Sequence, residues 1–124
     1  MTQVLESPDL TFGALAAANR QRCESPEGFN HALASWSTSD WMTATMGELG
    51  EAANVVKKLN RFRDGIPHNK ETQAMLLAQL REELGGTIVY LDLLCQSLGF
   101  SMGDVARDEF NRKSADIDWP IMLR

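Results

Sequence analysis

The chain is 124 residues long, carries a net charge of −5, and is 44% apolar and 23% charged. That length predicts one domain over residues 1–124 with a modest core, and the charged fraction excludes both a disordered polypeptide and a membrane protein. The negative charge argues against a surface for a nucleic acid polymer, which needs clustered Lys and Arg to neutralise phosphates.

No apolar run approaches a membrane span. The opening MTQVLESPDL lacks a basic segment followed by an apolar one, so no secretory signal is predicted and the expected location is cytoplasmic. Ser7 and Pro8 predict the start of a first helix, as N-cap and first-turn residue, running to about Cys23. Glu24 to Ser35, with its Pro, Gly and Asn, reads as a loop. Ser37 and Asp40 predict a capping box that opens a long second helix ending near Arg63. Asp64 to Asn69 (DGIPHN) breaks it. A third helix is predicted from about Lys70 to Ser97, stopped by Leu98-Gly99. Ser101 and Asp104 predict a second capping box and a fourth helix to about Ala115, followed by an extended tail over 116–124. Cys23 and Cys95 have no metal-like spacing and read as packing residues or free thiols. His31 and His68 fall in loops without a partner motif and read as exposed.

The fold class expected is all-α, a four-helix bundle. Two helices of this length bury their apolar stripes poorly in one small copy, which favours a bundle completed by oligomerisation into a homodimer or homotetramer.

On a 3.6-residue period, Trp41, Ala44, Glu48, Glu51/Ala52, Val55, Leu59 and Phe62 share one face of the second helix. Leu76, Leu80, Glu83, Thr87, Tyr90/Leu91, Leu94 and Leu98 share one face of the third. Glu48, Glu51 and Glu83 therefore interrupt stripes that should be apolar, and a carboxylate buried without a partner is costly. Three such groups on facing helices repel one another unless protonated or bridged by a cation, and an all-oxygen set suits Mg²⁺ or Mn²⁺ better than zinc. The plainer reading is a solvated set paired with Lys57, Lys58 or Arg81. Trp41 and Tyr90 read either as core or as surfaces on which a base stacks. Lys58, seven residues past Glu51, is placed to meet phosphate oxygens or simply ends a solvated helix.

The run Gly47-Glu48-Leu49-Gly50-Glu51-Ala52-Ala53-Asn54, followed by Lys57-Lys58-Leu59 and by Arg81-Glu82-Glu83-Leu84, resembles the MazG-like all-α nucleoside-triphosphate pyrophosphohydrolases. The likeness is greatest to their short, single-domain bacterial and phage members, and covers roughly Trp36 to Ser114. It implies a Glu-x-x-Glu, gap, Glu-x-x-Asp set of acids that binds Mg²⁺, with Glu48, Glu51 and Glu83 as metal-binding and catalytic residues. It also implies nucleotide contact by Asn111, although the basic residue usual just before the Phe-Asn pair is Glu109 here.

The departure is Gly86, which stands where the family has its final Asp. Gly85 and Gly86 also cost about 1 kcal/mol each relative to Ala in a helix interior. Asp92 is no obvious substitute, lying about 180° round the helix from Glu83 and about 13 Å along it. Thr87 shares the face of Glu83 but is a weak ligand, and water can fill the vacancy.

The resemblance implies cleavage of a nucleoside triphosphate to a monophosphate and pyrophosphate. A nucleotide-binding or regulatory protein, disabled by Gly86, is the second reading. A structural helical oligomerisation module is the third.

Overall fold

The computed structural model describes residues 9–124. Among them the architecture is all-helical, in the order α1 (Phe12–Glu24), a short 3-10 turn (Leu33–Ser35), α2 (Thr38–Arg63), α3 (Gln73–Ser97) and α4 (Met102–Asp116). No helix among the described residues is long and apolar enough to cross a membrane.

Local chemistry sets the ends of the two long helices. At the start of α2, the Asp40 N–H donates to Ser37 Oγ at 3.2 Å and the Ser37 N–H donates to Asp40 Oδ2 at 2.9 Å, so the predicted capping box is present. Gly65 stops α2 at φ +67°, where the Ile66 N–H reaches back to the Arg61 carbonyl at 2.9 Å. Gly99 does the same for α3 at φ +75°, with the Phe100 N–H on the Cys95 carbonyl at 2.8 Å. An L side chain is disfavoured at both positions, which is why glycine ends these helices.

Three boundaries differ from expectation. Ser7 and Pro8 lie outside the described residues, but Asp9 and Leu10 are not helical. α1 instead starts where Thr11 Oγ1 accepts the Ala14 N–H at 3.0 Å. α3 starts at Gln73 rather than Lys70, because Thr72 offers a hydroxyl to the Met75 N–H at 3.1 Å and lysine has no acceptor to offer. Ser101 is the N-cap of α4 but makes no side-chain cap bond. Asp104 accepts from Arg107 Nη1 at 3.0 Å instead, so the second capping box is absent.

α2 and α3 run antiparallel over a short connection, as the pairings Lys58 with Glu71, Gly86 with Glu48, and Trp41 with Tyr90 require. α1 packs on the C-terminal half of α3, where Asn19 meets Val89 and Asp92 and the Ala16 carbonyl meets Gln96. The main buried cluster is Cys23, Leu33, Trp41, Leu93 and Leu94, with half-buried Tyr90 against it. Trp41 is 2% exposed and its indole N–H donates to the Leu33 carbonyl at 3.2 Å, so its one polar group is satisfied. Burying each leucine of this core is worth about 1.5–3 kcal/mol. Cys23 and Cys95 are buried free thiols, and burial pushes both above the ordinary cysteine range.

The long helices keep a second apolar stripe in contact with solvent. On α2 it comprises Met42, Met46, Leu49 and Val56; on α3 it comprises Leu77, Leu84, Ile88 and Leu91. Both follow the three-, four- and seven-residue spacing of one helix face.

After α4 the chain turns at Asp118 (φ +56°), with the Trp119 N–H on the Ser114 carbonyl at 2.8 Å. The last residues then return along the helix. Asn111 Nδ2 donates to the Leu123 carbonyl and Asn111 Oδ1 accepts the Leu123 N–H, both at 2.8 Å.

Candidate functional site

Glu48 and Glu51 stand one turn apart on α2, and the antiparallel pairing brings Glu83 of α3 opposite them. One carboxylate oxygen from each lies within 4.8 Å of the other two. Glu48 and Glu83 are half-buried and Glu51 is exposed. None of the ion pairs among the described residues includes any of the three. Lys58, one of the sequence candidates for a counter-ion, pairs with Glu71 at 3.2 Å instead. The Glu83 carboxylate shares a hydrogen bond with Glu51 and repels its charge, and these effects push the Glu51 carboxyl above its ordinary value. Oxygen donors this close together form a set that a hard divalent cation could bridge, which would replace repulsion with attraction.

Gly86 lies against this cluster. A Cβ at residue 86 would sit 2.8 Å from Glu48 Oε2 and 3.0 Å from Glu48 Cδ. The absent side chain is therefore the space into which the Glu48 carboxylate leans. The Thr87 hydroxyl donates back to the Glu83 carbonyl at 2.8 Å, one turn along α3.

Asp92 is a different kind of acid. It is fully buried, and its Oδ2 accepts from Asn19 Nδ2 and Gln96 Nε2, each at 2.9 Å, while Oδ1 has no partner. It ties α1 to α3 and does not join the three glutamates.

Gly86 also forms part of the wall of a cavity of about 440 Å³. The remaining wall includes Trp36, Trp41, Phe29, His31, Tyr90 and Asn19. Trp41 and Tyr90, the two aromatic residues singled out from the sequence, thus line one cavity, with ring centroids 6.4 Å apart. His31 departs from expectation. It is half-buried and packs edge-on against Trp36 at 4.7 Å and Trp41 at 5.5 Å. The loop after α1 folds back to put it there, with the His31 N–H on the Cys23 carbonyl at 2.8 Å and Cys23 Sγ on the His31 carbonyl at 3.1 Å. His68, by contrast, is exposed as expected.

Two sequence candidates stand apart from this assembly. Lys58 is engaged by Glu71, and both polar atoms of the Asn111 side chain are engaged by Leu123. Asn19, Phe29, His31 and Trp36 are cavity residues that no motif had marked. Periodicity does not report the shape of a loop, and an isolated Asn on α1 has partners some 70 positions away in the chain.

In comparisons with known proteins, the chain matches no family model, no curated protein and no solved structure.

Proposed function

We propose that this protein is a Mg²⁺- or Mn²⁺-dependent nucleotide pyrophosphohydrolase of the MazG-like type, acting on a nucleoside triphosphate. The observation that carries the reading is the continuity at Gly86 between the three facing carboxylates and the aromatic cavity. A nucleotide has the matching two halves, a polyanion that needs a cation and a flat base that needs aromatic walls.

In this reading Glu48, Glu51 and Glu83 hold the metal, and Trp41 and Tyr90 contact the base. The bound ion supplies neutralisation of phosphate oxygens and a water of lowered pKa. One of the three carboxylates would accept the proton of the attacking water. In this reading the aromatic walls exclude water from the base while the phosphates lie beyond Gly86, on the side of the carboxylates.

A second copy of the chain is expected to cover the stripe of Met42, Met46, Leu49 and Val56 and its counterpart on α3, giving a homodimer or homotetramer. A cytoplasmic location accompanies this proposal.

The occupation of the residue 86 position by the Glu48 carboxylate favours one alternative, a nucleotide-binding protein that has lost turnover. Pyrophosphate release across a nucleotide panel, with Mg²⁺ and with Mn²⁺, separates the two. Turnover by the natural chain, abolished in Glu51→Gln with helical circular dichroism unchanged, is the expected result. Nucleotide binding without turnover identifies the alternative. Absence of any metal-dependent binding leaves only a structural helical module.

A further inference from the structure

The geometry points to Asn19 as the residue that selects the base, by presenting a hydrogen-bond acceptor that favours a nucleotide with an exocyclic amino group. This inference rests on the proposed reading of the cavity as the base site.

Asn19 is 4% exposed and forms part of the cavity wall. An asparagine amide is ambiguous as a recognition element, since it can turn either its N–H₂ or its carbonyl toward a ligand. Here the choice is fixed from behind. Nδ2 donates to the Val89 carbonyl at 2.9 Å and to Asp92 Oδ2 at 2.9 Å, so both amide hydrogens are committed to α3. Reversing the amide would set its oxygen against two acceptors, one of them a carboxylate. Asp92 is itself held, because Gln96 Nε2 bonds to the same Oδ2 at 2.9 Å and to the Ala16 carbonyl at 3.0 Å. Both bonds of the side chain run through Nδ2, which leaves Asn19 Oδ1, without a donor among the described residues, as the group available to the cavity.

A carbonyl oxygen in a largely aromatic cavity requires an N–H from the ligand, or it is left desolvated and unpaired. Arg22 lies one turn further along α1, on the same wall of the cavity, with its guanidinium 5.4 Å over the Phe29 ring. Arg22 thus adds donors to the same wall as the Asn19 carbonyl. Cytosine and adenine offer the complementary edge, an amino donor next to a ring-nitrogen acceptor. Uracil and hypoxanthine replace the amino group by an oxo group and the ring acceptor by an N–H, which inverts both positions. Asp92 acts only through Asn19 and is a positioning residue.

The test uses pairs of nucleotides that differ only in this edge. Dissociation constants are measured by calorimetry in Mg²⁺ for α,β-methylene analogues of CTP against UTP and of ATP against ITP, in ribo and deoxy series. The natural chain should bind the amino member of at least one pair about tenfold to a hundredfold more tightly. Asn19→Leu should bring the two members together by weakening the amino member alone. Equal affinity within both pairs overturns the inference and leaves the hydrolase reading standing, as does discrimination that survives in Asn19→Leu. No binding by any analogue overturns both. Should Asn19→Leu fail to fold, the comparison on the natural chain decides the matter alone.

Discussion

Asp92 and the Glu48, Glu51 and Glu83 triad sit on the same helical pair yet solve the problem of an acid near a core in opposite ways. Asp92 is fully buried and is supplied with amide donors from two helices, Asn19 on α1 and Gln96 on its own. The three glutamates lie nearer solvent, and none of them pairs with a cation among the described residues. Donors arranged around a carboxylate indicate a group that the fold uses as a fastener. Carboxylates arranged around a space fasten nothing, and on the proposed reading that space belongs to a cation.

The largest effect expected from this contrast is on stability. Asp92→Ala should cost about 2–4 kcal/mol in urea unfolding, through lost hydrogen bonds and the cavity left behind. Asp92→Asn should cost less than Asp92→Ala, because the new amide oxygen can accept the same two bonds while its NH₂ replaces an oxygen that already lacks a partner. Equal losses in the two variants would show that the charge itself is needed, and the contrast would fail.

Next in size is the effect of completing the triad. Gly86→Asp puts a Cβ where the Glu48 carboxylate now leans, and the flexible end of that side chain has to move aside. The variant should gain a few tenths of a kcal/mol of helix propensity. It should also bind Mg²⁺ about tenfold more tightly, read as a larger Mg²⁺-dependent rise in Tm than the natural chain shows. An unchanged metal response would mean that residue 86 does not face the ion.

The smallest effect is on pH dependence. The carboxyl of Glu51 is raised above its ordinary value of 4.5 by its neighbour Glu83. The metal-free folded state therefore holds this proton more tightly than the unfolded chain does. That contribution to stability is fully present below pH 4.5 and is lost as pH rises through the raised folded value. Carbon-13 NMR of the glutamate carboxyls should show one midpoint above the ordinary range, moving down when Mg²⁺ is added. A midpoint insensitive to Mg²⁺ would break the link between proton and metal.

Much of this was legible in the sequence where the signal is local. The Ser37–Asp40 box, the breaks at Gly65 and Gly99, and the facing of the glutamates all follow from spacing and backbone chemistry. The same kind of signal failed at Ser101, because Asp104 has a competing partner in Arg107, one turn away. It failed at Lys70 because Thr72, two residues on, is the better cap. The cavity was half legible. Trp41 and Tyr90 lie on helix faces that periodicity finds, whereas His31 and Phe29 owe their places to a loop folded back by backbone bonds. Asn19 had no local signal at all, since its meaning comes from Asp92, which is buried against it from another helix.

The antiparallel pairing of α2 and α3 also bears on the order in which the molecule assembles. Helices joined by a short connection meet at little loop-closure cost, and contacts close in sequence form fastest. Glu48, Glu51, Glu83 and Gly86 all belong to this hairpin, so the acidic cluster needs no contact from α1 or α4. The cavity wall is complete only once α1 and the loop behind it arrive. On the proposed reading, a divalent cation would find its ligands within the hairpin alone and act as a clasp on it, independently of the pocket for the base.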